Sequence, residues 1–123
     1  MKQAPLSEMT VEQLVDRFTA IALEQDRAVR IDDNTKFKRL FWQMEAVEEE
    51  LKGREGDQRR ALLRLYHHPR AQVRMKAAIA TLALEPKAAR QVLESISDSH
   101  DFPQAGDAGM TLVMLDRGIF KPS

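Results

Sequence analysis

The chain has 123 residues, 43% hydrophobic and 31% charged, with 19 basic and 19 acidic side chains and no cysteine. That length suits one domain, residues 1–123, with a core of its own, and the composition excludes a disordered chain. Without cysteine there is no thiol nucleophile, thiolate metal site or disulfide framework, which suits a reducing cytoplasm.

No secretory signal is expected at the N-terminus, where Lys2 is followed by no apolar stretch before Pro5, Ser7 and Glu8. The chain has no run of about eighteen apolar residues, so no membrane span is expected. Phe120-Lys121-Pro122-Ser123 matches no common lipidation signal.

A first helix is predicted to start at Thr10. Thr10 and Gln13 have capping-box spacing, in which each side chain satisfies the other residue's free N–H. Val11, Leu14, Val15, Phe18, Ile21 and Ala22 then form one apolar stripe, and the helix should run to about Val29. Asp32-Asp33-Asn34 reads as a turn with good N-cap residues. The second helix carries Phe37, Leu40, Phe41, Met44, Val47 and Leu51 at helical spacing. It is basic at its start (Lys36, Lys38, Arg39) and acidic later (Glu45, Glu48, Glu49, Glu50), an order that opposes the helix dipole. A local rule broken without evident gain marks either a partner surface or nothing. Trp42, the only tryptophan, sits beside the Phe41 stripe. An interface anchor and a core or rim position fit it equally.

Gly53 and Gly56 bound a short linker. Asp57 is the expected N-cap of a third helix carrying Ala61, Leu62, Leu65 and Tyr66, which ends at His67-His68-Pro69 because a residue before proline disfavours helix. The fourth helix, about Ala71 to Leu84, is rich in alanine and apolar nearly all round in its later part, so it should be central. Pro86 fits the first turn of a fifth helix with a stripe of Ala89, Val92, Leu93 and Ile96. Residues 97–106 read as a polar loop. A sixth helix carries Ala108, Thr111, Leu112 and Leu115, with Met110, Val113 and Met114 broadening its apolar face. Gly118 is placed to close that helix, with Ile119 folding back on its end. No segment alternates long enough to be a strand. The expected fold class is all-α, a short right-handed α-solenoid of about six helices in antiparallel pairs.

The stretch Tyr66-His67-His68-Pro69-Arg70-Ala71-Gln72-Val73-Arg74-Met75-Lys76-Ala77-Ala78 resembles the turn and second helix of a HEAT repeat. Pro69, Val73, Arg74, Ala77 and Ala78 match the family pattern. His68 stands where that family usually has Asp, so an Asp–Arg ladder between repeats is not expected. The chain looks like the small bacterial single-domain HEAT-like (armadillo-type) proteins. Some relatives in that broad class are immunity proteins, so the resemblance implies partner binding rather than catalysis.

Charge is distributed unevenly. Residues 1–56 carry a net −3, residues 57–90 a net +6 and residues 91–123 a net −3. Two readings stay open for the basic block, solvated or internally paired charge on the one hand and a binding surface on the other.

The sequence offers no catalytic constellation. The adjacent His67 and His68 would point about 100° apart on a helix and cannot easily share a metal. His100, with Asp98 and Asp101, lacks any metalloenzyme spacing. The glutamates of the second helix lie on an outer face, and no nucleophile elbow, P-loop or dinucleotide fingerprint is present. No cofactor, metal or catalytic residue is therefore expected. The leading expectation is a non-enzymatic protein–protein interaction module, of immunity or adaptor type, using Arg59, Arg60, His67, Arg70, Arg74 and Trp42 on an unidentified protein partner. The alternative is nucleic-acid binding through the basic block 59–76 (Arg59, Arg60, Arg64, Arg70, Arg74 and Lys76). Met110, Val113 and Met114, outside the main stripe of the sixth helix, favour a homodimer, since a short stack leaves apolar end faces.

Overall fold

The computed structural model describes residues 4–123, and among them every regular element is helical. There are five α-helices, α1 (Val11–Arg30), α2 (Asn34–Gly53), α3 (Ala71–Thr81), α4 (Pro86–Asp98) and α5 (Gln104–Asp116). Two 3-10 segments, Leu6–Glu8 and Gln58–His67, complete them. The chain divides into two compact units, Met1–Ala61 and Leu62–Ser123. Among the described residues no helix is long and apolar enough to cross a membrane.

In the first unit α1 packs against α2. The predicted capping box is present: Thr10 N–H donates to Gln13 Oε1 at 2.8 Å, and Gln13 N–H to Thr10 Oγ1 at 3.1 Å. Leu14, Val15, Phe18, Ile21 and Ala22 are buried along α1, and Leu40, Met44, Val47 and Leu51 along α2. The link between the helices is short because its residues serve both. Asp32 adopts a left-handed φ of 56° and closes α1. Its N–H reaches Val29 O, and Asp33 N–H reaches Ala28 O, so two orphan carbonyls of α1 are satisfied. Asp33 then caps α2 by accepting from Lys36 N–H at 3.1 Å. Arg54 pins the chain start to the end of α2. Its Nη2 donates to Leu6 O at 3.1 Å and to Met9 O at 2.6 Å, and its Nε donates to Glu50 at 2.9 Å.

The segment expected as a third α-helix is instead a ten-residue 3-10 helix. Arg59, Leu62 and Leu65 are its buried residues. They recur every three positions, and side chains three apart eclipse on a 3-10 helix, so one edge of it points inward.

In the second unit α3 packs against α4 and α5, and α4 against α5. Their shared core is Ala71, Met75, Ala78, Leu82, Ala89, Leu93, Ile96 and Ala108. Eight of the eleven residues of α3 are buried, as its alanine content predicts. Small side chains let helices approach closely, and each fully buried Leu contributes about 1.5–3 kcal/mol. A buried amide pair joins α5 to α3, with Gln104 Nε2 donating to Gln72 Oε1 at 3.1 Å. The last helix starts at Gln104, inside the segment expected as a loop, and ends as a Schellman motif at Gly118, φ 68°. Gly118 N–H reaches Leu115 O and Ile119 N–H reaches Met114 O. Ile119 does not fold back on the helix: it is 65% exposed, and Phe120 packs on the core in its place.

Candidate functional site

The six residues expected to bind a partner separate into two classes. Trp42, Arg60, His67 and Arg70 are exposed, whereas Arg59 is buried and Arg74 half-buried. Trp42 lies on the side of α2 away from the Leu40–Met44 stripe and is 61% exposed. Phe41, expected within that stripe, is also exposed. The reason is spacing. Leu40, Met44, Val47 and Leu51 advance by four, three and four residues and complete the inward face, which leaves Phe41 about 100° beside Leu40. The two aromatic rings meet edge to face, with centroids 5.3 Å apart and planes at 84°. Such a pair is a pre-ordered apolar projection with few rotamers left to lose on contact.

Lys38, Arg39 and Trp42 stand exposed together on α2, with Glu45 half-exposed one turn beyond the tryptophan. Lys38, Arg39 and Glu45 form no ion pair among the described residues. Others of the same helix are engaged: Lys36 with Glu24 at 3.8 Å, and Glu50 with Arg54.

Arg59, expected on the partner surface, is 8% exposed and held by Asp57. Its Nε donates to Asp57 Oδ1 at 2.9 Å, its Nη2 to Oδ2 at 2.6 Å and its N–H to Oδ1 at 3.3 Å. This two-point pairing, first through the hydrogen bonds, holds the Asp57 carboxyl below the usual range and the guanidinium above its own. Asp57 has a left-handed φ of 52°, and its carboxylate accepts from the N–H of Arg59, the second residue of the 3-10 helix, so it caps that helix as expected but from an unusual backbone conformation. Arg59 therefore serves the local fold. A carboxylate two residues before it was the signal in the sequence.

Around the His68-Pro69 turn of the second unit, His68 organises its neighbours. Its Nδ1 accepts from Arg70 N–H at 3.1 Å, and its carbonyl accepts from Arg74 Nη1 at 2.8 Å. Burial, and then the positive charges of Arg74 and Arg70, push the His68 pKa below its ordinary value. Arg74 is thus turned inward to the turn, and Arg70 and His67 are left outward. Arg70 precedes α3 without a side-chain cap.

Other sites are simpler. His100 has a left-handed φ of 62° and its ring lies 6.5 Å from that of Phe102. No group of three His, Asp or Glu among the described residues could hold a metal ion. An open groove of about 410 Å³ in the second unit is lined by Leu82, Ala83, Pro86, Arg90, Leu115 and Pro122. Its one charge, Arg90, is occupied by Asp116 at 2.9 and 3.1 Å. Nothing in that lining forms a nucleophile or an acid–base pair.

Comparison with known proteins places these features in a family. Residues 12–116 match the model of the family described as Domain of unknown function (DUF2019). The chain is also similar to a solved protein, RPA1889 from Rhodopseudomonas palustris CGA009, at 49% identity and a TM-score of 0.93, over 98% of this chain and 100% of that one. Among curated proteins none matches.

Proposed function

The chain belongs to the DUF2019 family, and from that premise we propose that it is a protein–protein interaction module without catalytic activity, built from HEAT-like antiparallel helix pairs. The carrying observation is the exposed Phe41–Trp42 pair on α2, set among charges of both signs. Tryptophan anchors dominate binding energy when they enter a partner's pocket. The HEAT-like reading is supported by the turn at Pro69, after which Val73, Ala77 and Ala78 are fully buried. An immunity-type or adaptor role in the cytoplasm is its concrete form.

A second reading, nucleic-acid binding, has the exposed Arg64, His67 and Arg70 in its favour. Against it stand Arg59 and Arg74, whose guanidinium groups are engaged within the fold.

Affinity capture from host extract separates the two. A stoichiometric protein retained after nuclease by the wild type, and lost with Trp42→Ala, supports the module. Nucleic acid recovered with the wild type, and lost with Arg70→Glu but not with Trp42→Ala, supports the second reading. Recovery of neither contradicts both.

A further inference from the structure

We infer that the outer face of α2 is a self-association surface, on which a second copy of the chain docks antiparallel about the Phe41–Trp42 step. The inference rests on the interaction-surface reading above and names the occupant of that surface.

The argument starts from the charge order of the helix. Lys36, Lys38 and Arg39 precede Glu45, Glu48, Glu49 and Glu50, which opposes the helix dipole. Within one chain that order brings no compensation on the exposed seam. Lys38, Arg39 and Glu45 have no ion-pair partner among the described residues, and the first turn holds no acidic residue. Across a two-fold axis the same order becomes complementary, because an antiparallel copy lays its acidic half on the basic half of the first.

Spacing fixes the register. Lys38 and Glu45 are seven residues apart, so they fall about 20° from each other around the helix and share one seam. The midpoint between them is the Phe41–Trp42 step, and those rings flank the seam. A dyad at that step sets Lys38 against Glu45 of the second copy, twice by symmetry. It also brings the exposed aromatic pairs together at the centre, where desolvation is greatest.

The patch is small. Four aromatic side chains bury about 150–250 Å² each at most. With the flanking charged stems, that reaches only the low end of the roughly 1,200–2,000 Å² of stable complexes. A reversible dimer with micromolar dissociation is therefore expected, not an obligate one.

The test is sedimentation equilibrium of the full chain from micromolar to submillimolar concentration. Emission of the single tryptophan is followed on dilution, and circular dichroism verifies each variant's fold. A monomer–dimer equilibrium is expected, with Trp42 emission shifting to the red as the dimer dissociates. Trp42→Ala should weaken association about tenfold or more. Lys38→Glu and Glu45→Lys should each weaken it, and the double exchange should restore it. Met110→Lys on α5 should leave it unchanged. A wild type that stays monomeric throughout overturns the inference. So does a dimer abolished by Met110→Lys and indifferent to positions 38, 42 and 45. A monomer whose Trp42 still retains another protein in the capture experiment overturns self-association alone. A monomer that retains no protein overturns both readings.

Discussion

The phenol of Tyr66 donates its proton to Thr81 Oγ1, and Thr81 passes its own to the carbonyl of Ala77 at 2.8 Å. Thr81 has a single proton, so the direction of the relay is fixed by the second bond. It ties the end of the 3-10 helix to the last residue of α3.

Removing either end of that relay should have unequal effects. Tyr66→Phe leaves Thr81 bonded to Ala77 and should cost about 0.5–1.5 kcal/mol. Thr81→Val keeps the shape but leaves the half-buried phenol unsatisfied, and should cost about 1–3 kcal/mol. In denaturant titrations the double variant should lose less than the two single losses together. Equal and additive losses would show that the two hydroxyls act independently.

His68 gives the chain an acid-sensitive turn. Its pKa is lowered in the fold, by burial first and then by Arg74 and Arg70. A lowered pKa means that the unfolded chain takes up the proton more readily. The stability contributed by neutral His68 is therefore full above its ordinary value of about 6.5 and is lost as pH falls through the lower folded value. Protonation of Nδ1 also removes the acceptor for Arg70 N–H. His68→Asn keeps an acceptor and cannot titrate, so its unfolding midpoint should fall less than that of the wild type between neutral pH and about pH 5. Parallel pH profiles would remove His68 from the account.

Arg59 tests the assignment of a basic residue to structure. Arg59→Met keeps the aliphatic stem and removes the pairing with Asp57. Breaking a buried pair costs about 3–5 kcal/mol, and since the Asp57 side chain is 28% exposed the expected loss is smaller, about 1–3 kcal/mol. An unchanged unfolding midpoint would return Arg59 to the list of binding candidates.

Two left-handed helix ends predict effects of opposite sign. Gly118 has open space where a Cβ would sit, so Gly118→Ala pays only for the backbone conformation, about 1 kcal/mol. Asp32 occupies the equivalent position after α1, and Asp32→Gly should stabilise by up to about 1 kcal/mol. Thermal unfolding of both variants checks the pair.

The legible part of the fold was the part governed by local chemistry. The Thr10 capping box, the Asp33 cap, Pro86 at a first turn and the Gly118 end all depend on residues within one turn of one another. The 3-10 helix was not legible, because Ala61, Leu62, Leu65 and Tyr66 share one side of a helix of period 3.6 and spread all round one of period 3.0, so the apolar pattern pointed to an α-helix. Only the burial of Arg59 in line with Leu62 and Leu65 decides it. The same residue explains the partial reading of the site. Sequence counts charges, but whether a guanidinium faces outward depends on a carboxylate such as Asp57 being held in the right place. Trp42 was ambiguous, and Phe41 was wrongly placed in the buried stripe, for a related reason, since an amphipathic stripe fixes its centre better than its edges.

The burial of α3 on nearly every side has a consequence for descent. Four of its eight buried positions are alanine, two of them, Ala71 and Ala78, in the core shared with α4 and α5, and almost any replacement at a buried alanine adds volume to a space already filled. Sequence change in this lineage should therefore pass around the buried alanines of α3, which tolerate glycine or serine at best. The outer face of α2 can vary as fast as whatever it meets.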